Sequence, residues 1–163
     1  MSAVRHAPAS RRKRSLLRDD GGSTVIEFAI LAPLVFILVL GTVEMALDMM
    51  VDATVQLAAQ AASRAGLTTT NPSSGTRADQ AQQIVNDILG GWTNIGATVA
   101  ISTLTYGTYS NVSSNTSTKG MGGFGDVVSY NITVTMPPFS GIPKLFGINQ
   151  LVFQRNYLVQ NEK

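Results

Sequence analysis

Apolar positions are unevenly distributed along this chain. Residues 28–43 read Phe-Ala-Ile-Leu-Ala-Pro-Leu-Val-Phe-Ile-Leu-Val-Leu-Gly-Thr-Val, with no charge between Glu27 and Glu44. As a helix rising about 1.5 Å per residue this run reaches roughly 24 Å, and adding Ser23–Glu27 brings it near the roughly 30 Å of a bilayer core. The pattern predicts a membrane span over about residues 25–43. Beyond Glu44 the pattern changes but the helix continues, because Met45, Ala46, Met49, Met50, Ala53, Leu57, Ala58, Ala61, Ala62 and Ala65 recur at three- and four-residue spacings. No Gly or Pro interrupts before Gly66, which reads as a C-cap. A single helix over 23–66 is expected, apolar in its first half and amphipathic over 44–66.

The remainder, 67–163, has a different texture. Leu67–Thr76 is turn-rich, and Thr76-Arg-Ala-Asp79 has capping-box character. It opens a short helix with an apolar stripe at Ala81, Ile84, Val85, Ile88, Leu89 and Trp92, expected to end at Gly90-Gly91 and to pack on a sheet. Strands are predicted at Ala97–Tyr106, Asp126–Met136 and Leu151–Val159, the second alternating at Val128, Tyr130, Ile132, Val134 and Met136. Gly107–Gly125, rich in Ser, Thr, Asn and Gly, reads as a mobile exposed loop, whereas Pro137-Pro138 and Pro143 make the next connection stiffer. The expected fold class is therefore α+β: a long N-terminal transmembrane helix extending into a small domain with a short helix and about three antiparallel strands.

Charge adds an orientation. Of twelve Lys and Arg in the 163 residues, six (Arg5, Arg11, Arg12, Lys13, Arg14 and Arg18) precede the apolar run. Glu44, Asp48 and Asp52 follow it. By the positive-inside rule the N-terminus is cytoplasmic and the C-terminal domain lies outside. Residues 1–22 carry six basic and two acidic groups and residues 23–163 six basic and eight acidic, so the overall +2 is the sum of +4 and −2. The basicity belongs to the leader, which argues against a nucleic-acid partner. An ordinary secretory signal is disfavoured because the apolar run exceeds the usual h-region and no cleavage site with a following loop ends it.

Composition narrows the chemistry. The chain has no Cys, which excludes disulfides, thiol nucleophiles and Cys-ligated metals, and its one His is His6, in the leader. Outside the leader and first helix the acids are Asp79, Asp87, Asp126 and Glu162, and neither a Gly-x-Ser-x-Gly nor a phosphate-binding loop occurs. No catalytic group, metal ligand set or cofactor is expected. Glu44, Asp48 and Asp52, spaced four apart, form an acidic stripe that reads first as a solvated face just outside the membrane and second as a docking face for a basic partner.

Gly22-Ser-Thr-Val-Ile-Glu27-Phe28, directly after the basic leader, resembles the processing site of prepilins, and Glu27-Phe28 with Pro33 a few residues on is similar to TadE-like minor pilins of tight-adherence pili. The clear resemblance covers about residues 11–66. A weaker one covers Tyr130–Phe139 and the closing strand. It implies a pilin-like outline, a prepilin peptidase that cuts between Gly22 and Ser23, and partners among other pilins and membrane components of a bacterial inner-membrane pilus machine. It also implies a register role for Glu27 and Phe28. Physically, an acid at the edge of hydrocarbon needs a partner, and the α-amino group freed at Ser23, of the same or a neighbouring subunit, would supply one. Pro33 removes a helix hydrogen bond and clashes with the Ala29 carbonyl, which predicts a kink. A membrane-anchored adhesin, with Tyr106, Tyr109 and Phe124 near its polar loop, and a pseudopilin of a related secretion machine are the alternatives.

Overall fold

The computed structural model describes residues 20–163, with side chains described from Thr24 onward. The leader expected over 1–22 lies almost wholly outside these residues. The chain divides into two units, one ending at Val39 and one comprising Leu40–Lys163. Helix α1, Asp20–Ala65, contributes to both and continues as helix through Pro33. In the first unit its apolar side chains are exposed, Phe28 at 71% and Ile30 at 72% among them. By length and composition this helix is long and apolar enough to cross a membrane.

The second unit has two layers. A four-stranded antiparallel sheet has the order β2-β1-β3-β4, with β1 at Thr98–Thr105, β2 at Thr118–Lys119, β3 at Val127–Met136 and β4 at Leu151–Gln160. One face is built from cross-strand rows: Val99–Val134–Phe153, Ile101–Ile132–Arg155, Thr103–Tyr130–Tyr157 and Thr105–Val128–Val159. The alternation seen in β3 is therefore a burial pattern, with Val128, Tyr130, Ile132, Val134 and Met136 all buried. Against this face pack Val51, Val55, Ala58, Ala59 and Ala62 of α1 and Ala81, Val85 and Leu89 of α2, Arg77–Thr93. Trp92 joins the two helices, donating from Nε1 to Thr54 Oγ1 at 2.9 Å, and meets Phe139 of the connection after β3 edge-on at 6.2 Å between ring centroids.

Several expectations are corrected. Of the predicted α1 stripe Ala58 and Ala62 are buried, but Met45, Met49, Met50 and Leu57 are exposed, and Val51, Val55 and Ala59 complete the buried face in their place. The capping box at Thr76 is present in both directions, yet α2 runs through Gly90-Gly91 to Thr93. Gly107–Gly125 is not a free loop: it contains a short helix, α3, Tyr109–Ser113, and the strand β2, which pairs Leu104 with Lys119 and Thr105 with Thr118. The sheet accordingly has four strands where about three were expected.

Candidate functional site

The acids that follow the apolar run do not form a solvated stripe. Glu44 is 4% exposed and turns toward the connection between β3 and β4, which includes the short helix α4, Ile142–Leu145. Its Oε1 accepts the Phe139 N–H at 2.8 Å and its Oε2 the Ser140 N–H at 2.6 Å. Pro137-Pro138 stiffens the chain just before these donors, so both arrive pre-aligned, as a bidentate acceptor requires. Burial alone would raise the Glu44 carboxyl, but the Ser140 hydroxyl and the two backbone N–H groups outweigh it and hold the group below its ordinary value.

Asp48 and Asp52 have separate fates. Asp48, one turn after Glu44, lines an open cleft of about 260 Å³ with Gly41 and Met45 of α1 and Ile142, Pro143 and Phe146 across from them. Its Oδ1 is buried and has no hydrogen-bond partner among the described residues. Burial first, and the Glu44 charge second, raise its pKa. Asp52 forms an ion pair with Arg155 on β4. The expectation of a face open to a basic partner is thus corrected in its particulars: the base that Asp52 meets belongs to its own sheet, and Glu44 is consumed by its own backbone.

The far end of α1 is held by a residue that pattern alone does not single out. Arg77 is 7% exposed, and its guanidinium donates from Nη2 to the Gly66 carbonyl at 2.6 Å and the Met121 carbonyl at 3.3 Å, and from Nη1 to the Gly122 carbonyl at 3.0 Å. One planar donor group thereby ties the end of α1, the start of α2 and the segment after β2. The available signal was Arg77 itself, a base directly after an N-cap, where the helix dipole does not favour it. Gly66 is not a left-handed cap. It is glycine because Tyr130 of β3 crosses it, and a Cβ there would lie 1.7 Å from the Tyr130 hydroxyl oxygen. Burial raises the pKa of that hydroxyl, against the opposing pull of Arg77.

The residues expected at the processing and register site share one element. The backbone of Gly22 and Ser23 belongs to α1, and Glu27, Phe28 and Pro33 are exposed on it in the first unit. The arrangement is that of an α+β protein with an N-terminal membrane-type helix. The family model described as TadE-like protein matches residues 22–64, nearly the whole of α1. No curated protein and no solved structure matches the chain.

Proposed function

We propose that this chain is a non-catalytic TadE-like minor pilin or pseudopilin of the bacterial inner membrane, which a prepilin peptidase processes after Gly22 and which assists assembly of adhesive tight-adherence pili. The observation that carries this reading is where the family match begins: it opens at Gly22, the glycine that separates the basic leader from Ser-Thr-Val-Ile-Glu-Phe, and closes at Arg64, one residue before α1 ends. A signal anchor of any other kind needs neither that glycine nor a helix that continues into a folded domain. On this reading the N-terminus is cytoplasmic, α1 crosses the bilayer once, and the second unit lies outside. Its partners are the peptidase, other pilins and the membrane components of the machine. Glu27 pairs with the ammonium group freed at Ser23 and sets the register between subunits.

The test is the mature N-terminus of the protein isolated from cells that carry a prepilin peptidase. A start at Ser23 is expected, and Gly22→Val should retain the leader and abolish piliation. A protein that keeps residues 1–22 in such cells would remove this reading, as would unchanged cleavage of the Gly22→Val variant. Immunogold localisation on sheared pili and on membranes would then separate a filament subunit from an assembly factor that stays in the bilayer.

A further inference from the structure

The connection between β3 and β4 presents a cluster of apolar side chains to solvent. Leu145 is 71% exposed, Phe146 74% and Ile148 46%, and Lys144 stands exposed beside them. Side chains of this size, close together on a loop, are an unfavourable surface in water and mark a contact. Their position is specific. Phe146 and Ile148 line the same cleft as Gly41 and Met45, the residues on either side of the point where the uncharged run ends at Val43. Met45 on α1 is itself 64% exposed.

The two carboxylates of α1 that share this cleft, Glu44 and Asp48, are turned inward to different extents. Glu44 is buried on the Phe139 and Ser140 N–H groups, and Asp48, half-buried at the cleft wall, has its Oδ1 shielded from solvent. The exposed side chains of residues 144–148 are thus Leu145, Phe146, Ile148 and one ammonium group, the combination that suits the boundary between acyl chains and phosphate headgroups. We propose that Leu145, Phe146 and Ile148 insert into the outer interface of the same bilayer that α1 crosses, with Lys144 at the phosphates, so that the folded unit has a second, peripheral membrane contact beside its anchor. The proposal rests on residues 25–43 spanning the membrane. It makes Glu44 the residue that positions the contact, because its two hydrogen bonds hold the loop against the turn of α1 that leaves the bilayer. A subunit leaving the membrane would have to withdraw this wedge together with the helix.

The absence of cysteine makes the test direct. Full-length Phe146→Cys, Leu145→Cys, Phe124→Cys and Phe36→Cys proteins, each carrying an NBD label, are reconstituted into vesicles of phosphatidylethanolamine and phosphatidylglycerol, without nitroxide or with a phospholipid bearing a shallow or a deep nitroxide. Phe124 is exposed but precedes β3, at the end of the sheet away from the β3–β4 connection, and Phe36 lies in the apolar run. Blue-shifted emission is expected at positions 145, 146 and 36, quenched by the shallow nitroxide at 145 and 146 and by the deep one at 36, with water-like unquenched emission at 124. Quenching at 36 without quenching at 145 and 146 would overturn the proposal and leave the span intact. Absence of quenching at all four positions would overturn both. Blue-shifted emission at 145 and 146 that ignores either nitroxide but grows with the protein-to-lipid ratio would overturn it in favour of contact with a second copy.

Discussion

Glu44 and Ser140 stand ninety-six residues apart in sequence and 2.6 Å apart in the fold, carboxylate oxygen to backbone nitrogen. This bond, with its neighbour at Phe139, ties the base of the folded unit to the part of α1 nearest the apolar run. Glu44→Ala leaves two backbone N–H groups without their acceptor in a nearly closed site. It should cost about 3 kcal/mol, the scale of losing charged hydrogen bonds together with the desolvation of their donors. Glu44→Gln, which keeps one acceptor oxygen, should cost less. Denaturant unfolding of the detergent-solubilised protein, followed by Trp92 fluorescence, measures both.

The pH dependence of that stability has two opposing parts. Glu44 has a lowered folded pKa, so its contribution is fully present above its unfolded value, near 4.5, and is lost as pH falls through the depressed folded value. Asp48 has a raised folded pKa, so its ionised form costs stability, and that cost is relieved as pH falls through the raised value toward 3.8. Asp48→Asn should therefore be more stable than the parent at neutral pH, with the advantage shrinking on acidification. The deficit of Glu44→Gln should also be largest at neutral pH and shrink once Glu44 protonates in the parent. Unfolding midpoints from neutral pH down to about pH 3, a window set by the unfolded carboxylate values, would show either trend or its absence.

Gly66→Ala tests the crossing at Tyr130. A methyl group cannot occupy a point 1.7 Å from the hydroxyl oxygen, so the ring or the end of α1 must shift, at about 1–3 kcal/mol for an overpacked site. Tyr130→Phe removes the nearest atom and should recover part of that loss. Additive effects of the two substitutions in a double-mutant cycle would show that the clash is relieved elsewhere.

Arg77→Met removes the donors to Gly66, Met121 and Gly122 while keeping an unbranched side chain. A loss of about 3 kcal/mol is expected from orphaned buried carbonyls. The loss should be accompanied by faster amide exchange in residues 118–123, because that segment is tied to α2 by the same guanidinium. Arg77→Lys, with one donor head, cannot span the three carbonyls and should recover only part of the stability.

The Asp52–Arg155 pair is partly exposed, with side chains at 34% and 40%. Pairs of this kind contribute at most about 1 kcal/mol and are screened by salt. A double-mutant cycle with Asp52→Asn and Arg155→Gln should give a coupling in that range that falls as salt is raised. A large, salt-independent coupling would indicate that the pair acts as a buried one.

Local pattern carried much of this fold. The strands of β1, β3 and β4 were legible within a residue or so of their ends because period-two alternation reports directly on a sheet with one buried face. The cap of α2 was legible because Thr76 and Asp79 satisfy each other within one turn. Which face of α1 turns inward was not. Met45, Met49 and Met50 are more hydrophobic than Ala58, Ala59 and Ala62, yet the alanines are buried, because they share with Val51 and Val55 the face of α1 that joins the core of Tyr130, Ile132 and α2. The acids misled for a related reason: carboxylates at four-residue spacing ordinarily face water, and only the donors at Phe139 and Ser140 and the base at Arg155 reverse that preference.

The sequence by itself determined the membrane-type helix α1 and its basic leader, the start of α2 and the three long strands, because hydropathy, periodicity and capping are set by neighbours within a few residues. Only the tertiary structure decided that Glu44 is buried, that Gly66 gives way to Tyr130 and that Arg77 closes the far end of α1. Each depends on groups brought together from distant parts of the chain, and the sign of a buried charge's contribution is set by the donors and acceptors that meet it there.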